Sequence, residues 1–121
     1  MSRLIIIDPA AFQRRILSLL ARDCGYEETS EAASLFELDS PPAAGDVVIM
    51  DAASFAGDAA GAVVTATAAH DELLASRIEA GATTFLVKPF TKPGFLRALD
   101  DLALAGRALP PRTGKSESPE V

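Results

Sequence analysis

Two short apolar runs constrain this chain more than any other feature of it. Leu4-Ile5-Ile6-Ile7 and Val47-Val48-Ile49-Met50 are rich in β-branched side chains, show no polar alternation, and are closed by Asp8 and Asp51 respectively. A strand that is apolar on every residue is buried on both faces, which points to a parallel sheet covered by helices. The intervening sequence fits alternating strands and helices. Residues 11–23 switch to a helical period, with Phe12, Ile16, Leu19 and Leu20 forming a stripe that reads as core, and Gly25 as the stop. Residues 26–29 predict a weak second strand. Ser30 predicts the cap of a short helix through Leu38, ended by Pro41-Pro42. Further strands are predicted at 62–67 and 84–87. Helices are predicted from Asp71 to a stop at Gly81, and from a Thr91 cap to about Ala105, before Gly106.

Composition narrows the class. At 121 residues the chain is one domain, and 49% apolar against 23% charged residues is the balance of a soluble globular protein. A single cysteine, Cys24, allows no internal bridge. No apolar run approaches the ~18 residues of a membrane span, and the opening four-residue run is too short for a signal peptide. A cytoplasmic protein with no membrane partner is expected. A net charge of −6 disfavours phosphate backbones, so DNA is not an expected partner. From residue 108 the sequence becomes polar, Pro-rich and aperiodic, so a domain over 1–107 and a disordered tail over 108–121 are expected.

In an open parallel sheet the site lies at the carboxyl ends of the strands. Asp8, Asp51, Thr67 and Lys88 each close a predicted strand and would converge on one rim. Two close carboxylates call for a cation, and a hard divalent ion such as Mg²⁺ with oxygen ligands meets that need. With a lysine and a hydroxyl opposite, such a rim suits phosphoryl transfer to a carboxylate.

These residues resemble the receiver domain of response regulators, of the chemotaxis-regulator type. The resemblance runs from residue 3 to about 106. It rests on Leu4 to Asp8 followed by a helix with Arg14-Arg15, on Asp46 to Asp51, on Thr67-Ala68, and on Ala80-Gly81-Ala82 through Phe85 to Lys88-Pro89-Phe90. It implies a flavodoxin-like α/β fold with a five-stranded parallel sheet in the order 2-1-3-4-5. It also implies Asp51 as phosphoacceptor, Asp8 and the Ala53 backbone carbonyl as further Mg²⁺ ligands, Lys88 as the partner cation, Thr67 and Phe85 as switch residues, and a cis peptide before Pro89. The implied function is a stand-alone receiver, not an enzyme in the ordinary sense, that takes a phosphoryl group from a sensor histidine kinase or histidine phosphotransfer protein. It would signal to an unidentified protein target by contact.

Three departures qualify that implication. Pro9 stands where the family carries a second acid, so Mg²⁺ binding should be weak. Residues 52–54 lack the usual Met-Pro pair. Asp51 and Thr67 are too close for a full third helix, which is expected to be missing or a single turn, with Phe55 as the plug over an undercovered sheet face. The alternative function is a phosphorylation-independent pseudo-receiver that acts as a protein-binding adaptor. Among the individual residues, Thr65 competes with Thr67 for the hydroxyl, Asp8 reads equally as a helix cap, and His70 and Cys24 carry no assigned chemistry.

Overall fold

The computed structural model describes residues 3–43, 45–54, 63–66, 72–106 and 109. The five predicted strands are β1 (Leu4–Ile7), β2 (Thr29–Ala32), β3 (Val47–Asp51), β4 (Val63–Ala66) and β5 (Thr84–Val87). The helices are α1 (Ala11–Asp23), α2 (Glu72–Glu79) and α3 (Lys92–Leu104), with 3-10 turns at Leu35–Glu37 and Ala52–Ser54. All strand pairs are parallel, in the order β2-β1-β3-β4-β5. The expected α/β architecture and strand order are therefore present. Phe55, Thr67, His70 and, of the tail expected over 108–121, all but Leu109 lie outside the described residues, as do residues 55–62, where the third helix was expected to be missing. Leu109 packs, partly buried, against the core on the α1 and α3 side.

Period-two alternation divides the sheet residues between two cores. Leu4, Ile6, Val47, Ile49, Val63 and Leu86 face α1 and α3, and meet Leu17, Ala21, Phe95, Ala98, Leu99 and Leu102 there. Ile5, Ile7, Val48, Met50 and Val64 face the other side, with Ala32, Ala52 and Ala82. That second face was expected to be undercovered around Val48 and Met50. Both are buried, with Leu35 and Leu38 of the first 3-10 segment packed against their cluster.

Two helix ends follow from glycine. Gly25 (φ 98°) and Gly81 (φ 121°) adopt the left-handed conformation that closes α1 and α2. Beyond α1, the Tyr26 amide reaches back to the Ala21 carbonyl and that of Gly25 to Arg22. Beyond α2, Ala82 reaches Arg77 and Gly81 reaches Ile78. Both are Schellman closures, which satisfy carbonyls the helix leaves open. At the start of α3, the Thr91 hydroxyl accepts from the Gly94 amide at 3.1 Å, as the sequence predicts.

Three expectations are corrected. The second strand lies at Thr29–Ala32, not 26–29, because Tyr26 is drawn into the turn that closes α1 and is buried against its core. The helix expected over 30–38 is replaced by that strand and one 3-10 turn, since pairing with β1 fixes residues 29–32 as extended backbone. In α1, Leu17 and Ala21 are the buried residues, whereas Phe12 and Leu19 are 72% and 44% exposed.

The amino edge of the sheet is held by Asp46. Its carboxylate accepts from the backbone amides of Arg3 (2.9 Å) and Ala43 (2.8 Å) and faces the Arg3 guanidinium at 3.4 Å. Burial pushes its pKa up, but these two amides and the Arg3 charge outweigh it and hold the carboxyl below its ordinary 3.8.

Candidate functional site

The rows of side chains facing α1 and α3 determine what stands at the carboxyl rim. Leu4 and Ile6 are followed in their row by Asp8, Val47 and Ile49 by Asp51, Val63 by Thr65, and Leu86 by Lys88. The ladders align Ile7 with Met50 and Asp51 with Thr65, so these row ends are neighbours.

The side chains meet there. Lys88 Nζ lies 3.4 Å from Asp51 Oδ1 and 3.8 Å from Asp8 Oδ2. Asp8 is buried, while the Asp51 and Lys88 side chains keep 19% and 21% exposure. Asp51 is thus reachable from solvent, whereas Asp8 is not. Among the described residues, the two carboxylates share the Lys88 ammonium as their ion-pair partner.

Each carboxylate is oriented by backbone. Asp8 Oδ1 accepts from the Ala10 amide at 2.8 Å, at the start of α1, where the N-cap residue Ala10 supplies no side-chain cap. Its Oδ2 is buried without a hydrogen-bond donor. One Asp8 oxygen thus serves the helix start and the other faces Lys88. Arg14, on the first turns of α1, donates to the Asp8 carbonyl at 2.6 Å and ties the loop to the helix. Asp51 Oδ2 accepts from the Ala53 amide at 3.2 Å, across the 3-10 turn that follows β3.

Among the described residues no group of three or more His, Cys, Asp or Glu side chains is placed to hold a metal. The donor set is two carboxylates, with Pro9 exposed between β1 and α1 where a third acid would stand. Asp8 Oδ2, which faces Lys88 but accepts no hydrogen bond, fits a hard oxygen-seeking cation, with fewer charged ligands than a full site supplies.

The Lys88–Pro89 peptide is cis. Phe85 is half-buried against the Val48–Met50 core. The Arg97 guanidinium lies over its ring, 4.6 Å from the centroid, and donates to its carbonyl. Arg97 also pairs with Asp101 at 3.0 Å, and Asp101 accepts from the Thr84 hydroxyl at 2.7 Å. Beside this cluster a cavity of about 420 Å³ is lined by Phe85, Lys88, Pro89, Thr91, Gly94 and Arg97, among others. Thr65 is buried beside Asp51, and its hydroxyl has no hydrogen-bond partner.

The sequence reading did not single out Arg97 or Arg77. Arginines on helices read as solvated surface, and the contacts of Arg77 with the Ala52 carbonyl and of Arg97 with Phe85 arise only in the tertiary arrangement.

Twenty-four chains of solved structures match this one. One of them is the receiver domain Rec1 of ShkA, solved in complex with c-di-GMP. It matches with a TM-score of 0.67 and 20% identity, over 82% of this chain and 91% of that one. This is a receiver fold. No protein-family model and no curated protein matches the sequence, so at 20% identity the likeness establishes the receiver architecture alone. Among the described residues of this receiver-fold chain, no helix is long and apolar enough to cross a membrane.

Proposed function

We propose that this receiver-fold chain accepts a phosphoryl group on Asp51 from a phosphohistidine of a sensor kinase or phosphotransfer protein, and signals by protein contact. The observation that carries this reading is the Lys88 ammonium held between Asp51 and Asp8 at the carboxyl rim. An Asp51 carboxylate oxygen attacks phosphorus, the phosphorus–nitrogen bond of the donor breaks, and the imidazole leaves with the electron pair and is reprotonated. Lys88 offsets charge on the transferring oxygens. Asp8, Asp51 and the Ala53 carbonyl would hold Mg²⁺, which supplies further positive charge when bound. The Thr65 hydroxyl, buried and unpartnered next to Asp51, is available to a phosphoryl oxygen; Thr67 remains the competing candidate. The kinase would meet α1, which exposes Phe12 and Leu19 together with Arg15. On this reading the chain is a phosphoacceptor and not an enzyme with turnover beyond slow self-dephosphorylation, and its setting is the cytoplasm.

Pro9 favours a second reading, a phosphorylation-independent pseudo-receiver that works as a binding adaptor. The ShkA Rec1 complex with c-di-GMP gives that reading a ligand class to test, a cyclic dinucleotide. Incubation with Mg²⁺ and acetyl phosphate, followed by intact mass, separates the two. The first reading expects a phosphate adduct that Asp51→Asn abolishes. Absence of any adduct, with heat released on titration of c-di-GMP, supports the second.

A further inference from the structure

The peptide unit between Ala52 and Ala53 is hydrogen-bonded on both sides, and both partners are charged. Its carbonyl accepts from Arg77 Nε at 2.9 Å, across 25 residues of sequence. Its amide donates to Asp51 Oδ2 at 3.2 Å. A trans peptide is planar, with C=O and N–H pointing in opposite directions. The guanidinium of α2 and the carboxylate of β3 are therefore held at the two ends of one rigid plate. A cation on the carbonyl also polarises the N–H and strengthens the bond it donates.

We propose that Arg77 is a positioning residue for Asp51, acting through this single peptide unit. The proposal rests on the phosphoacceptor reading for its consequence but not for its geometry. With Oδ2 fixed by the Ala53 amide, Oδ1 is the oxygen that faces Lys88 at 3.4 Å. The plate thus decides which oxygen stays with the backbone and which meets the incoming phosphorus. Arg77 is well placed for this. It is half-buried, its own carbonyl is held by the Ala82 amide in the closure of α2, and Ala52 is buried in the same core cluster as Val64 and Ala82. The arrangement also ties the acceptor turn to α2 by a bond that uses neither the Thr65 hydroxyl nor the Phe85 ring.

The test is amide NMR on the full chain, with phosphorylation as a separate arm. In Arg77→Met the Ala53 amide proton should move upfield and exchange faster with solvent. Asp51→Asn should perturb the same proton, and the double variant should show less than the sum of the two shifts. Arg77→Gln keeps a donor without the charge and should fall between Met and wild type. It also serves if Arg77→Met does not fold. An Ala53 resonance that is unchanged in Arg77→Met, or additive shifts in the double variant, overturns the proposal. In the second arm, acetyl phosphate should modify Arg77→Met about tenfold more slowly than wild type, with Arg77→Lys restoring most of the rate. Wild-type rates in a folded Arg77→Met overturn the positioning role. If wild type takes no phosphate, the phosphoacceptor reading fails, and the NMR arm still decides the plate.

Discussion

Thr65 stands directly opposite Asp51 in the β3–β4 ladder, on the same face of the sheet, with its hydroxyl buried and unpartnered. Leaving a buried hydroxyl unpaired costs about 1–3 kcal/mol. Thr65→Val keeps the shape and removes the polar atom, so its melting temperature should equal or exceed that of wild type. The same variant should accept phosphate from acetyl phosphate about tenfold more slowly. A lower melting temperature would mean that the hydroxyl has a structural partner. A rate defect confined to Thr67→Ala would assign the hydroxyl's role to Thr67.

Pro9 follows Asp8 in the chain and offers no side-chain oxygen to a cation. Pro9→Asp adds a third carboxylate beside Asp8 and Asp51, the two that face Lys88 among the described residues. Mg²⁺ should bind the variant more tightly, by about tenfold, as read by calorimetric titration. Equal affinity in the two proteins would show that position 9 does not point into the site.

What the sequence disclosed, and what it hid, divides along physical lines. The runs ending in Asp8 and Asp51 are apolar throughout, and only a central parallel strand requires that. The Gly25 and Gly81 stops and the Thr91 cap are decided within a few residues of chain, so local chemistry suffices to read them. β2 was misplaced because it is an edge strand of composition Thr-Ser-Glu-Ala, with Glu31 exposed, and it needs little apolar surface. In α1 two stripes compete. Phe12, Ile16, Leu19 and Leu20 carry more apolar bulk, but of these Leu20 packs against the core, partly buried, while Leu17, Ala21 and the adjoining Cys24 are buried in it. The site's aspartates and lysine were legible because they close strands. Arg77 was not, because the carbonyl it holds lies on another element, and Arg97 was not, because its contact with Phe85 crosses from α3 to β5.

Asp46 sets an acid limb on stability. Its folded pKa is lowered, so its contribution is complete above the unfolded value and is lost as pH falls through the folded one. Asp46→Asn should therefore be less stable than wild type at pH 7, by about 1–3 kcal/mol. The gap should close progressively below about pH 4. Urea denaturation at pH 7, 4 and 3 reads this directly. A gap that stays constant down to pH 3 would show that the carboxylate's charge contributes nothing.

The two stripes of α1 give a paired test of fold and docking. Leu17 is 1% exposed and sits among Leu4, Ala21, Tyr26 and Leu102 in the larger core. Leu17→Ala leaves a cavity and should cost about 2–5 kcal/mol. Phe12 is 72% exposed, so Phe12→Ser should change stability by less than about 0.5 kcal/mol. A large exposed ring beside Arg15 has little to contribute to the isolated chain, yet it offers a partner both apolar area and charge. Phe12→Ser should therefore leave the reaction with acetyl phosphate unchanged, because a small donor needs no docking surface. It should slow transfer from a phosphorylated kinase or phosphotransfer domain by about tenfold. Equal losses with both donors would place Phe12 in the chemistry and not in docking. A stability loss matching that of Leu17→Ala would return Phe12 to the core.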